Sequence, residues 1–307
     1  MDHSNPARIS LGASGLSVSP VGMGTNAWGF NRLADPEKGP TLAAALQAGI
    51  NFIDTAEVYH FGGSEKTLGL LLPKSGQDVV LATKFFPYPW RLSKSSLADA
   101  LRASLERLGL PKVQLYILHF PVPPVPLETW LEALAEVQQS GLTRAVGISN
   151  CTAQQTRRAQ AVLARHAIPL ASNQVEYSLL NRSAERSGLL DTCRELGVSL
   201  VAYRPLGYGL LTGKYQPADL PKILHGRLIS RLDLQKVAPL VELLGELAQR
   251  HTRTRAQVAL NWIVCKGALP IPGAKNARQA AENAGAFGWR LDPVEVEALD
   301  RASQGWR

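Results

Sequence analysis

Residues 52–69 read "FIDTAEVYHFGGSEKTLG". An apolar run stops at a carboxylate, Asp54, and a phenol, Tyr59, follows five residues later. Two glycines and Ser64-Glu65 then give the pattern of a helix start. The order is strand, polar loop, helix, with the reactive groups at the carboxyl end of the strand. Seven further apolar segments repeat this order: "VGMGT" (21–25), "VVLATK" (79–84), "QLYILH" (114–119), "AVGIS" (145–149), "ASNQVEY" (171–177), "SLVAYRP" (199–205) and "LPIPG" (269–273). Most are apolar throughout rather than alternating, as parallel strands covered on both faces are.

Helical periods fill the gaps, most clearly "SLADALRASLERLGL", "PLETWLEALAEVQQSGL", "TAQQTRRAQAVLARH" and "AERSGLLDTCRELGV", and several end in the glycine that commonly stops a helix. Ahead of the first unit, "ARISLG" and "LSVSPVGMG" flank a Gly/Ser turn and read as a hairpin. The span 211–268 exceeds one repeat. It holds a Gly/Pro-rich loop and two helices, and "DPVEVEALDRAS" adds a capped helix at the end. Eight strand–helix units without a composition break predict an α/β fold: one (β/α)8 TIM barrel domain over residues 1–307, with an N-terminal β-hairpin and extra C-terminal helices. In that architecture the site lies where the strands end.

Composition narrows the function classes. The chain has 307 residues, 45% hydrophobic and 19% charged, as a soluble globular protein has. No apolar run reaches the roughly 18 residues of a membrane helix, and the N-terminus lacks the apolar segment of a signal peptide. Cys151, Cys193 and Cys265 lie far apart, which argues against a metal site or disulfide framework and fits the cytoplasm. The net charge of +8 comes from Lys and Arg scattered at helix spacings, so solvated helix faces are favoured over a nucleic-acid surface. Such a field also attracts an anionic small molecule. No long apolar helix face is left over, which favours a monomer.

The strand ends carry the chemistry. Asp54 ends "FID", Lys84 ends "LATK", His119 ends "YILH", and Tyr59 follows Asp54. Singly, each has a plainer reading: a cap, a snorkelling lysine, a satisfied core histidine, a loop aromatic. Together, at the tops of three consecutive strands, they specify a proton donor. A nearby Lys⁺ lowers a phenol's pKa, a carboxylate keeps a buried lysine charged, and a histidine hydrogen-bonds a carbonyl. Nothing in the set is an activated nucleophile or a metal cage. Carbonyl reduction fits, and its hydride must come from a cofactor.

These residues and their surroundings resemble the aldo-keto reductase superfamily. The carrying motifs are "GINFIDTAEVY", "LATK", "LYILHFP", "RAVGISN", "ASNQVEYSLLNR", "VAYRPLGYGLLTGKY" and "PIPGAKNARQAAENAGA", in order along nearly the whole chain, with the bacterial and plant-plastid branch most similar. The resemblance implies a tetrad of Asp54, Tyr59, Lys84 and His119 with Tyr59 as general acid, and NADPH (NADP+) bound without a Rossmann motif. It implies that Ser149, Asn150 and Gln174 hold the nicotinamide carboxamide and Tyr203 stacks on the ring. Gly24, Thr25 and Asn26 lie nearby. Arg204, Pro205, Leu206, Gly209 and Lys214 line the pyrophosphate path, and Arg227 closes over the adenosine end. Gly273, Lys275, Gln279, Glu282 and Asn283 meet the adenosine half. Independently, a lysine beside a helix N-terminus makes an anion site.

"GMGTNA" (22–27) nominally fits GxGxxA, but no helix pattern follows and Thr41-Leu42 occupies the place of the expected acid. His60-Phe61 stands where the family has small residues, so it either narrows the mouth or points to solvent. Arg204 replaces the family's serine, adding charge near the phosphates or turning away. Trp28, Phe86, Trp90 and Phe120, with Tyr59 and His119, are expected to line the pocket for a small carbonyl substrate. The competing readings are a barrel isomerase or aldolase acting on sugar phosphates with Lys84 as a Schiff-base lysine, which pairing with Asp54 opposes, and an NADPH-binding regulatory or sensor protein with little turnover.

Overall fold

The computed structural model of the protein describes residues 8–29, 35–72, 78–215 and 234–306. Strands β1 (Ile9–Ser10) and β2 (Ser17–Val18) form the expected antiparallel hairpin, with Ile9 opposite Val18. The eight strands that follow are β3 (Met23–Gly24), β4 (Phe52–Asp54), β5 (Val80–Phe85), β6 (Val113–Leu118), β7 (Thr143–Ser149), β8 (Leu170–Glu176), β9 (Ser199–Tyr203) and β10 (Leu269–Pro270). They stand in sequence order in one sheet, each parallel to the next. A parallel bridge between Gly24 and Gly273 joins the first of the eight to the last, and the Gly22 and Gly24 amides donate to Pro270 O and Pro272 O. The seam is tight: a Cβ on Gly22 would come within 2.7 Å of the Phe52 ring and 2.9 Å of Ile271.

Inside the sheet, Phe52, Val80, Ala82, Leu115, Ile117, Ala145, Ala171, Val201, Leu269 and Ile271 pack into one apolar cluster. Leu11, Leu16 and Val18 of the hairpin belong to the same cluster, and the Gly12 amide donates to Ser199 Oγ at the start of β9. The hairpin therefore closes the N-terminal end of the strands and leaves the C-terminal end to polar groups.

The helices are α1 (Lys38–Gln47), α2 (Gly63–Leu71), α3 (Lys94–Leu108), α4 (Leu127–Gln139), α5 (Ala153–Ala164), α6 (Ser183–Arg186), α7 (Leu189–Glu195), α8 (Leu234–Arg250), α9 (Arg255–Cys265), α10 (Ala277–Ala284) and α11 (Pro293–Ala302). Each buries the stripe its spacing dictates. In α3 the leucines at 97, 101, 105 and 108 face the sheet, and a fully buried leucine contributes about 1.5–3 kcal/mol. Thr152/Gln155 and Thr254/Gln257 form capping boxes that start α5 and α9, and Asp292/Glu295 with Pro293 starts α11. The sequence reads "AERSGLLDTCRELGV" as one helix, but the structure divides it into α6 and α7. Gly188 takes φ 69°, a left-handed conformation that ends one helix and opens the next. Among the described residues no helix is long and apolar enough to cross a membrane.

Candidate active site

Strand periodicity positions the site. Successive side chains face opposite sides of a sheet, so a residue two beyond an interior one also faces inward. Phe52, Ala82, Ile117 and Val201 fill the interior cluster. Two residues further along stand Asp54, Lys84, His119 and Tyr203. Ser149 follows Ala145 by four. Gln174 breaks the rule, lying three residues after Ala171. The register between β7 and β8 shifts between Val146 and Ile148, and this irregularity turns both Ala171 and Gln174 inward.

Lys84 is the hub. All three ammonium protons are used: Nζ donates to Asp54 Oδ2 at 2.7 Å, to Thr55 O at 2.7 Å and to the Tyr59 hydroxyl at 3.2 Å. Lys84 is 0% and Asp54 2% exposed. Burial would discharge the lysine, but Asp54 and Tyr59 outweigh it and its pKa is raised, so it stays an ammonium. Gln174 Nε2 donates to the other Asp54 oxygen at 2.8 Å.

Because Tyr59 O accepts from Lys84, its own O–H is directed away from the ammonium. Burial is the largest influence on the phenol and raises its pKa above the ordinary 10, while Lys84 pulls it down. The sequence reading weighed Lys84 alone; the net direction is upward because the ring is enclosed. Tyr59 is thus a held phenol, protonated at neutral pH, with a cation beside its oxygen.

His119 stacks edge-on to Tyr59, with ring centroids 5.9 Å apart. Burial, with Lys84 adding to it, lowers its pKa to about 3, so the imidazole is neutral. Its Nδ1 is buried without a hydrogen-bond partner. An unpartnered lone pair is cheaper to bury than an unpartnered N–H. The proton therefore belongs on Nε2, which makes His119 a donor.

The remaining expected cofactor residues divide. Tyr203 OH donates to Asn150 Oδ1 at 2.9 Å, Asn150 Nδ2 donates to Ser149 Oγ and His119 O at 3.0 Å each, and Ser149 Oγ donates to Gln174 O at 2.7 Å. Through Gln174 this network reaches Asp54. Thr25 is fully buried, its hydroxyl donating to Asp54 O, whereas Asn26 is exposed. Leu206, Gly209 and Lys214 surround a turn in which Gly207, Tyr208 and Gly209 all have positive φ, and a Cβ on Gly209 would come 3.1 Å from Lys214 Nζ. Pro205 is buried beside Arg204. Asn276 caps α10 by accepting from Gln279 N, and exposed Lys275 precedes it. Asn283 Nδ2 reaches Gly273 O at 3.4 Å, and Glu282 lies partly buried one residue before. Arg227 lies outside the described residues.

The departures resolve into contacts. His60 takes φ 51°, its Nε2 lies 3.0 Å from Asn26 O, and its ring fills the space over Gly29, where a Cβ would come within 1.9 Å. It ties two top loops together while remaining exposed. Arg204 pairs with Glu176 at 3.3 Å and lies over the Tyr203 and Tyr208 rings. After β3 the chain turns at Asn26-Ala27, so "GMGTNA" opens no helix.

At the mouth, Phe86 lies 5.8 Å from His119 and 5.9 Å from Phe120, and Phe120 stacks on His119 at 5.1 Å. Tyr88 and Trp90 stack face to face at 4.6 Å, and Trp90 is 72% exposed. Trp28 is the correction to the expected lining: it is fully enclosed, Nε1 donating to Ala274 O and Lys38 lying over its face. The apolar packing and that hydrogen bond draw the indole under α1. Sequence reading missed Tyr88, Glu57 and Arg91, which fasten this wall; a carboxylate between Asp54 and Tyr59 was the available signal. A cavity of about 380 Å³ lined by Leu42, Leu46, Asn51, Leu71 and Val79 lies at the opposite, N-terminal end of the strands, away from the tetrad.

Comparisons with known proteins concern the chain as a whole. The family model described as "Aldo/keto reductase family" matches residues 20–304. Pyridoxal reductase, chloroplastic, of Arabidopsis thaliana is 38% identical over 309 residues, covering 94% of this chain and 84% of that protein. Aldo-keto reductase yakc of Schizosaccharomyces pombe, whose name specifies NADP(+), is 34% identical over 85% of this chain and 81% of its own length. Among solved structures, the glycerol dehydrogenase of Gluconobacter oxydans superposes with a TM-score of 0.85 at 26% identity, covering 97% of this chain and 95% of that one. An aldo-keto reductase from Klebsiella pneumoniae in complex with NADPH gives 0.77 at 27%, covering 95% and 93%.

Proposed function

The chain belongs to the aldo/keto reductase family, and from that membership we propose that it reduces an aldehyde or ketone to the alcohol with NADPH, Tyr59 giving the proton. The observation that carries this is Lys84 Nζ bridging Asp54 at 2.7 Å and the Tyr59 hydroxyl at 3.2 Å inside the barrel top. It joins a protonated phenol to a fixed cation.

The residues present fit the cofactor. Lys214, whose ammonium lies beside the positive-φ turn at Gly207–Gly209, suits a diphosphate by its charge. Lys275 at the capped start of α10 suits a 2′-phosphate, which supports NADPH over NADH. Tyr203 and the Asn150, Ser149 and Gln174 groups would hold the nicotinamide end. When bound, NADPH supplies the hydride.

The chain's own residues do the rest. His119, neutral and protonated on Nε2, donates to the substrate oxygen and orients the carbonyl. As negative charge develops on that oxygen, Tyr59 passes its proton there. Lys84 stabilises the resulting tyrosinate, and Asp54 with Gln174 fixes Lys84. The aromatic wall at the mouth supports a ring-bearing aldehyde, and the relative named a pyridoxal reductase makes pyridoxal a first substrate to try.

The test is NADPH consumption followed at 340 nm (its absorbance band) with pyridoxal and with an aromatic aldehyde. Turnover with NADPH exceeding that with NADH is expected. NADPH binding without turnover on any carbonyl would overturn the reductase reading in favour of a sensor.

A further inference from the structure

The loop between β5 and α3 carries the rings Phe86, Tyr88 and Trp90, and then Arg91, which turns back into the protein. Glu57, midway between Asp54 and Tyr59, meets it. Glu57 Oε1 accepts from the Phe86 amide at 2.7 Å and from Arg91 Nη1, and Oε2 accepts from Arg91 Nη2 at 2.9 Å. Arg91 Nη1 also donates to Phe86 O at 2.8 Å, and the guanidinium lies 4.9 Å over Phe85 and 5.1 Å over Tyr88. The two side chains are 7% and 19% exposed, so this is an enclosed bidentate pair, not a solvated surface one.

What each partner is attached to gives the pair its consequence. Glu57 lies on the segment that carries Tyr59, and its amide donates to Lys84 O at 3.4 Å. Arg91 closes the segment that carries the aromatic wall. The proton donor and the wall are therefore held at a fixed distance by one ion pair, with Phe86 pinned at both its N–H and its carbonyl.

We infer that Glu57 and Arg91 are positioning residues that set the aromatic wall over Tyr59 and so confer preference for ring-bearing over small aliphatic carbonyl substrates. Neither acts on the substrate; they act through Phe86 and Tyr88. The inference rests on the carbonyl-reductase reading above. Its signature is selective: a displaced wall weakens contact with a ring but leaves a two- or three-carbon aldehyde, which does not reach it, unaffected.

Arg91→Lys keeps the charge and loses the fork. With NADPH saturating, KM for an aromatic aldehyde should rise about tenfold with kcat nearly unchanged, while KM for propionaldehyde holds, since misplaced binding contacts are worth about ten- to a hundredfold. Glu57→Gln, which retains an acceptor for the Phe86 amide, should move the same ratio in the same direction, and the double variant should be no worse than Arg91→Lys alone. If Arg91→Lys melts out, Glu57→Gln decides. An equal fall for both aldehydes, or none for either, overturns the inference. Wild type active on propionaldehyde establishes the reductase reading separately; wild type inert on both aldehydes overturns both.

Discussion

Lys84 Nζ stands 2.7 Å from Asp54 Oδ2, with the lysine 0% and the aspartate 2% exposed. Enclosed pairs of this kind are costly to break from one side, because the surviving charge is left without its partner. Lys84→Met is therefore expected to lose about 3–5 kcal/mol of unfolding free energy together with about 10²–10⁴-fold in rate. Lys84→Met combined with Asp54→Leu should recover much of the stability and none of the activity. Urea melting beside NADPH-dependent rates separates the two effects. Equal loss of stability in the single and double variants would contradict this.

His119 should not titrate in the working range. Its pKa of about 3 lies below the ordinary histidine value of 6.5, so its folded-state neutrality contributes stability that is present above about 6.5 and lost as pH falls toward 3. ¹⁵N-edited NMR of the imidazole is expected to show the Nε2–H tautomer unchanged from pH 8 to 5. A midpoint near 6.5 would refute the assignment.

Much of the barrel was legible in the sequence. All eight apolar segments became strands, because buried parallel strands need no alternation to be recognised. The clustering of Asp54, Lys84 and His119 was legible for a related reason: each ends an apolar run, and the two-residue period carries that position inward. Gln174 could be named only through family resemblance, since its facing depends on a register shift between β7 and β8 that residue types do not reveal. Trp28 misled because a tryptophan past a strand end reads equally as wall or as core, and the hydrogen bond that decides it is donated to Ala274 O, far along the chain. The carboxylate of Glu57 stood in view between Asp54 and Tyr59, but its pairing with Arg91 was hidden for the same reason: their meeting is a contact between two loops.

Cofactor preference should follow one lysine. Lys275→Ala is expected to weaken NADPH binding about tenfold, the typical scale of one charge-assisted phosphate contact, and to leave NADH unchanged. Fluorescence titration with both dinucleotides reads this directly. Equal weakening of the two would assign Lys275 to a part they share.

The C-terminal helix is fastened by a network with an acid signature. Burial alone would raise the Glu185 pKa, but Arg182, Tyr177 and Lys266 outweigh it and bring it to about 2. Arg182 and Lys266 also hold Asp300 of α11. Since the folded pKa lies below the ordinary glutamate value of 4.5, this contribution is fully present above that value and is lost as pH falls through about 2. The shift alone corresponds to about 3 kcal/mol, and solvent screening of this half-enclosed carboxylate reduces it to about 2 kcal/mol. Glu185→Gln should be less stable at pH 7 and show a flatter acid limb in thermal melts. An unchanged acid limb would mean the network carries no net stabilisation.

The most direct test of the account replaces one oxygen. Tyr59→Phe retains the ring beside His119 and removes the proton donor that Lys84 contacts at 3.2 Å. NADPH oxidation with an aromatic aldehyde, measured beside NADPH binding, should show about 10²–10⁴-fold loss of kcat with binding retained. A variant that turns over like wild type would contradict Tyr59 as the proton donor and, with it, the role given to the tetrad.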